Sequence, residues 1–252
     1  MSALIGSTGF VGGHLQKSFE FSHTYNRANI SEIQGLETDL LICAGLPAEK
    51  WKANLDPELD WWNMANLAQL VSTVETYRAV LISTIDVYQP AVGVTENDPA
   101  SLNGVEGYGR NRAWFESFFA MHFPQATIIR LPGLFGDDLK KNLIFDLMNN
   151  RSEDYEQVSQ ESLFQYFDIS QLGEVITKAV ANNLQYLNVA TEPILAQEIA
   201  NIFGKKLGNE KSQRCYDMQT LHAEIFEGDG NYLQSKEEVI KRINRLIVDS
   251  KK

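Results

Sequence analysis

Short apolar runs alternate along the first half of the chain with longer stretches whose apolar residues recur every three or four positions. Ser2–Ile5, Thr38–Ala44, Ala79–Ser83 and Ala126–Leu131 are such runs, and a briefer one covers Ser22–Tyr25. They are apolar throughout rather than alternately, as strands buried on both faces of a parallel sheet are. Between them lie helical patterns. One follows the first run, with Val11, Leu15 and Phe19 at spacings of four. A second opens at Asp56-Pro57, an N-cap residue followed by proline at the first helical position. Its expected inner stripe is Leu59, Trp62, Asn63, Asn66, Leu67, Leu70, Val71 and Val74. A third spans Tyr108–His122 and is rich in aromatics, with Trp114, Phe115, Phe118 and Phe119 read mostly as core. Strand and helix thus alternate, which predicts a doubly wound α/β sheet.

After Gly136 the pattern loosens. Helices are expected over Asn142–Asn150, Ser170–Asn183, 191–204 and 235–247, and strands over Leu163–Ile169 and Leu187–Ala190, with a polar stretch at Arg151–Glu161. We read residues 1–135 as a Rossmann-type domain and 136–252 as a smaller, ligand-covering lobe that returns 164–190 to the sheet. There is no internal repeat and no linker rich in Pro, Gly or Ser.

Composition changes this picture only by exclusion. With 44% hydrophobic and 22% charged residues, the 252-residue chain is ordinary globular protein. The net charge of −11 argues against nucleic acid or an anionic membrane as partner. No apolar run is long enough to span a bilayer, and no secretory signal is visible. Cys43 and Cys215 are too few for a disulfide framework, so a reduced, cytoplasmic protein is expected. His14, His23, His122 and His222 are scattered without metal-ligand spacing, so no metal is expected.

The chemistry concentrates first at Gly6-Ser7-Thr8-Gly9-Phe10-Val11-Gly12, a glycine-rich turn between the first strand and the first helix. Gly6 permits a tight turn. Gly9 lets backbone approach a pyrophosphate, and Gly12 lets the helix pack close to the strand. The helix N-terminus then offers free N–H groups and its dipole to phosphate. Thr8, Phe10 and Val11 fall within the same cradle. An NAD site places a carboxylate at the end of the second strand, for the ribose hydroxyl. Here that strand ends Tyr25-Asn26-Arg27, and a guanidinium suits a 2′-phosphate. NADP is therefore expected, with NAD as the alternative.

Further motifs follow in order: Cys43-Ala44-Gly45 closing a strand, Asn63 in the next helix, Ser83-Thr84-Ile85-Asp86-Val87-Tyr88, Tyr108-Gly109-Arg110-Asn111-Arg112, Arg130-Leu131-Pro132-Gly133 and Phe167-Asp168-Ile169-Ser170. Over roughly residues 1–200 the chain resembles the extended short-chain dehydrogenase/reductases, the NAD(P)-dependent epimerases, dehydratases and reductases of nucleotide sugars. The resemblance implies a catalytic set of Thr84, Tyr108 and Arg112. It also implies dinucleotide contacts from the glycine loop, Asn26, Arg27, Ala44, Gly45, Asn63 and Pro132. Asp86, Lys141 and Asn142 are the implied contacts to a nucleotide-diphospho-sugar, Lys140 and Lys141 flanking the helix that Asn142 opens. Pairing of the Tyr108 helix and the helix after Gly45 into a four-helix bundle is implied too, hence a homodimer.

Two positions depart from the family. The lysine four residues after the tyrosine is Arg112. A guanidinium within about 4–6 Å could still favour a tyrosinate by ~1–3 pH units, but its planar fork is no copy of an ammonium and it cannot relay a proton. The family's 4,6-dehydratases also carry a carboxylate directly after the threonine, where this chain has Ile85. That disfavours such a dehydratase. Two readings stay open: hydride transfer on a nucleotide sugar, as reductase or epimerase, and a dinucleotide-binding sensor without turnover.

Overall fold

A computed structural model describes residues 1–102, 107–208 and 213–250. The chain runs β1 (Ser2–Ile5), α1 (Phe10–Ser18), β2 (His23–Tyr25), β3 (Glu37–Cys43), α2 (Lys50–Leu55), α3 (Pro57–Val71), β4 (Glu75–Thr84), β5 (Val92–Val94), α4 (Gly107–His122) and β6 (Ala126–Leu131). It continues β7 (Gly133–Phe135), α5 (Leu143–Met148), α6 (Ser152–Tyr155), β8 (Leu163–Phe164), β9 (Tyr166–Asp168), α7 (Leu172–Ala181), β10 (Tyr186–Asn188), β11 (Ile194–Leu195), α8 (Ala196–Ile202), β12 (Asp217–Met218) and α9 (Lys236–Asp249).

Six strands form one sheet in the order β10-β6-β4-β3-β1-β2. β1 pairs in parallel with both β2 and β3, and β3 with β4. The chain leaves β1 toward one edge and returns on its other side, so the topological switch falls at the C-terminal ends of β1 and β3. Ligands bind at such a point in open α/β sheets. Ala3, Leu4, Leu41, Ile42, Val80, Leu81, Ile128 and Ile129 are all buried, because helices cover both faces of these strands. No helix among the described residues is long and apolar enough to cross a membrane.

The chain divides into two units. The first comprises 1–89, 98–130 and 171–187, and holds nearly all of the six-stranded sheet with α1–α4 and α7. The second comprises 90–97, 131–170 and 188–252. It contains three two-stranded pairings, β5 with β12, β8 with β11 and β7 with β9, over a core that includes Leu143, Tyr166, Ile199 and Ile243. Glu96 ties it together, accepting from the backbone N–H of Asn188 and Leu221, both at 2.8 Å, and from the Thr220 hydroxyl at 2.6 Å.

Two sequence expectations need correction. Of 164–190, only β10 rejoins the main sheet among the strands. β8 and β9 are two short strands paired elsewhere, since Gln165 between them turns its amide to Thr191 O and Met218 O. The stripe of α3 is also rotated. Asp60, Met64, Ala68 and Val71 are buried, while Leu59, Trp62, Asn63 and Asn66 face outward. A buried aspartate sets this register, and apolar periodicity alone reads it as a surface residue.

Candidate active site

The glycine loop is tied down from two sides. Gly6 N–H and Ser7 N–H both donate to Tyr25 O, at 2.8 and 3.0 Å, which fastens the loop to the end of β2. Gly6 has φ +90°, and a Cβ there would lie 2.4 Å from Ala44 O. A Cβ on Gly12 would lie 2.1 Å from Gly6 O. These two glycines are thus required by backbone approaching backbone within the protein. Gly9 differs: an added Cβ meets only Gly6 O, at 3.3 Å, and the residue is exposed. Gly9 is the N-cap of α1, where no side chain caps the helix and no acidic residue stands in the first turn. Its first N–H groups are therefore oriented for an anion. The cradle fits a dinucleotide pyrophosphate, with Thr8 exposed and Phe10 and Val11 half-buried around it. Ala44 and Gly45 border it at the end of β3, where a Cβ on Gly45 would sit 2.7 Å from the Ile5 side chain. Arg27 is exposed just beyond β2. Asn26 is occupied locally, its Oδ1 accepting from Ala28 N–H and its N–H donating to Asn29 Oδ1.

At the C-terminal end of β4 the chain bends into a single turn. Thr84 caps it, its Oγ1 accepting from Asp86 N–H at 3.2 Å. Asp86 in turn accepts from Lys50 Nζ on α2 at 2.7 Å, and Thr84 Oγ1 lies 3.4 Å from its other oxygen. Tyr108, in the first turn of α4, belongs to the same cluster. Burial raises its phenol above the ordinary tyrosine range, and Asp86 adds to this. Arg112, Thr84 and Lys50 act in the opposite direction without overcoming burial. Arg112 thus draws the phenol toward ionisation as expected, but desolvation of the charged form is the larger effect.

Arg112 itself is 1% exposed; both of its Nη atoms are hydrogen-bonded, while its buried Nε has no hydrogen-bond partner among the described residues. Its guanidinium forms a two-pronged ion pair with Asp60, Nη1 donating to Oδ2 and Nη2 to Oδ1. Nη2 also donates to Pro47 O at 2.5 Å, and Cζ lies over the Tyr108 ring, 3.9 Å from its centre. Asn111 completes the arrangement, donating to Asp60 at 2.8 Å and to Pro57 O at 2.9 Å. Tyr108 N–H donates to Asn54 Oδ1. A Cβ on Gly107 would stand 2.4 Å from Pro57, so only glycine lets α4 start this close to α3.

Asn63 is exposed, and the buried amide expected on this helix is not found there. The buried side-chain amide of this cluster is Asn111, on α4. Pro132, Lys141 and Asn142 belong to the second unit. Pro132 is buried and Lys141 exposed. Both ends of the Asn142 amide are used: Oδ1 caps α5 by accepting from Phe145 N–H, and Nδ2 donates to Leu134 O. Sequence reasoning missed Asp60, Asn111 and Lys50, each a polar residue whose partner is remote in the chain. Proximity of Asp60 to a Tyr-x-x-x-Arg helix has no sequence signal of its own. Beneath the site, Ser83 and Arg130 both donate to buried Glu116, at 2.6 and 2.7 Å, which braces β4, α4 and β6 against one another.

No family model matches the sequence, and a search of curated proteins found no match. Solved structures do. The fold, a parallel α/β sheet of Rossmann type, is shared with solved reductases and dehydratases of nucleotide sugars. A dTDP-4-dehydrorhamnose reductase from Clostridium acetobutylicum is 17% identical with a TM-score of 0.73, covering 100% of both chains. The reductase of the same name from Bacillus anthracis, solved with NADP, is 18% identical at a TM-score of 0.71, over 98% of this chain and 97% of that one. An NAD-dependent NDP-hexosamine 5,6-dehydratase of tunicamycin biosynthesis is 16% identical at a TM-score of 0.77, over 98% and 96%.

Proposed function

We propose that the protein is an NADP-dependent reductase of a keto group on a nucleotide-diphospho-sugar, acting as a homodimer. The observation that carries this is the state of Tyr108. Its phenol stands beside Thr84 at the C-terminal end of a central strand, and burial keeps it protonated through the neutral range. A protonated phenol is a general acid, and reduction of a carbonyl needs one. When bound, the reduced dinucleotide supplies a hydride to the carbonyl carbon. Tyr108 gives its proton to the carbonyl oxygen as the C=O π bond becomes an O–H and a C–H bond, and Thr84 donates a hydrogen bond to the same oxygen. Gly9 and the N-terminus of α1 hold the pyrophosphate, on a loop shaped by Gly6 and Gly12, and Arg27 holds the 2′-phosphate.

Reductases of this fold, one of them solved with NADP, support the reading. For the dimer, the support is the start of α3 and the end of α2, where Leu55, Leu59 and Trp62 are exposed. Single exposed apolar residues are common at surfaces, and several close together in sequence are what an interface would cover. The test is titration with NADPH followed by its oxidation in the presence of nucleotide-diphospho-keto-sugars. Binding with turnover supports the reductase. Binding without turnover on any of them favours a dinucleotide-binding module.

A further inference from the structure

In a helix carrying Tyr-x-x-x-Arg, the arginine is the obvious heir to any cation that the tyrosine needs. Arg112 does act on the phenol in that sense, and a further cation acts with it. Arg112 is locked face-on to the Tyr108 ring, and its charge is balanced by Asp60 in a buried pair. A second cation approaches the cluster from a different element. Lys50 begins α2, its ammonium is 2.7 Å from Asp86, and its side chain keeps 40% of its exposure. Unlike Arg112, it can swing on four methylenes.

We propose that the Lys50–Asp86 ion pair is a positioning element of the active site: Lys50 neutralises Asp86, keeps that carboxylate's charge off the Tyr108 phenol, and holds it against Thr84. The inference rests on the reading of Tyr108 as the proton donor, and deepens it by dividing the task of supplying positive charge between two residues. Arg112 is a fixed brace under the ring. Lys50 is the adjustable charge at its polar end, placed to respond when an anionic substrate or dinucleotide enters.

Among the described residues, the surroundings of the phenol bear this out from each element that packs on it. From β4 and the turn after it come Thr84 and Asp86, from α2 comes Lys50, and from α4 itself Arg112, already paired with Asp60 of α3. Asp86 and Lys50 act on Tyr108 in opposite directions. Glu49 and Lys52, the other charges of this segment, pair with each other at 2.7 Å. Removing Lys50 therefore takes away the ammonium 2.7 Å from Asp86 and leaves more of that negative charge acting on the phenol, which disfavours the phenolate.

The test reads the phenol directly, so that it does not depend on turnover. Full-length protein carrying 3,5-difluorotyrosine in place of Tyr108, whose phenol ionises well below that of tyrosine, is titrated by fluorine NMR. Lys50→Gln is expected to move the titration upward, and Asp86→Asn downward. The double variant should return close to the parent, and Lys50→Arg should stay close to it. In steady-state reduction by the tyrosine-containing protein, the alkaline fall-off should move the same way in each variant. A titration that Lys50→Gln leaves in place overturns the inference even if the wild type is an active reductase. A titration that moves as expected in a protein that reduces no keto-sugar upholds the ion pair's coupling and removes the proposed function instead.

Discussion

The Arg112 guanidinium lies against the Tyr108 ring, 3.9 Å from its centre, while its Nη atoms are held in a fork by Asp60. Cation–π contact and buried ion pair are one construction, and it makes Arg112 as much a fold residue as a site residue. Arg112→Ala would leave a buried carboxylate without its cation, at a cost of about 3–5 kcal/mol. Arg112→Lys loses the fork and is expected to destabilise as well, in contrast to a simple return to the family's lysine. Replacing both partners by apolar residues, as in Asp60→Leu with Arg112→Met, should recover most of the loss. Urea unfolding of the two single variants and the double variant measures this. Equal, additive losses would contradict the pairing.

The two glycines of the loop should separate folding from binding. Gly12→Ala places a Cβ 2.1 Å from a backbone oxygen, so the strand–helix junction must shift and stability fall. Gly9→Ala meets the same oxygen at 3.3 Å, a tight but tolerable contact, and the variant should fold. Its loss is expected in NADPH affinity, because the methyl points into the phosphate cradle. Circular dichroism melts beside fluorescence titration with NADPH distinguish the two outcomes.

Discrimination between dinucleotides should rest on Arg27. A charge-assisted hydrogen bond to phosphate is worth about 1.5–3 kcal/mol. Arg27→Ala should therefore weaken NADPH by roughly one to two powers of ten and leave NADH nearly unchanged. Equal weakening of both would remove the 2′-phosphate from the account.

Much of the fold was legible because its rules are local. β1, α1 and the glycine loop follow from one apolar run, three glycines and a helical period, and the buried strands β3, β4 and β6 announce themselves by continuous apolar runs. What stayed hidden is non-local and polar. Asp60 is buried because Arg112, 52 residues away, neutralises it, and Glu116 because Arg130 does. A pattern reader assigns both to the surface and so turns α3 to the wrong face, with Leu59 and Trp62 inside and Asn63 falsely buried. In the second unit the strands are only two or three residues long, and β5, β7 and β12 exist through partners rather than through sequence. The site followed the same division. The residues of contiguous motifs, such as Gly9 and Thr84, were named from sequence, whereas Lys50 was found only through its contact with Asp86.

The outward apolar face of α3 leads to a prediction on assembly. Leu59 and Trp62 are 57% and 61% exposed. In a homodimer built on α3 and α4 they become buried, and Trp62→Glu should give a folded monomer. Sedimentation velocity at micromolar concentration decides the matter. A wild type that is already monomeric contradicts the proposed dimer.

The central claim is that Tyr108 delivers the proton in a hydride transfer from NADPH. The most direct measurement is the rate of NADPH oxidation with a nucleotide-diphospho-keto-sugar, for wild type and Tyr108→Phe side by side, with NADPH affinity determined for each. The account predicts turnover by the wild type that stays flat through neutral pH and declines only above the ordinary tyrosine range. For Tyr108→Phe it predicts a rate lower by about 10²–10⁴-fold with affinity nearly intact. A Tyr108→Phe variant that turns over like the wild type would contradict it.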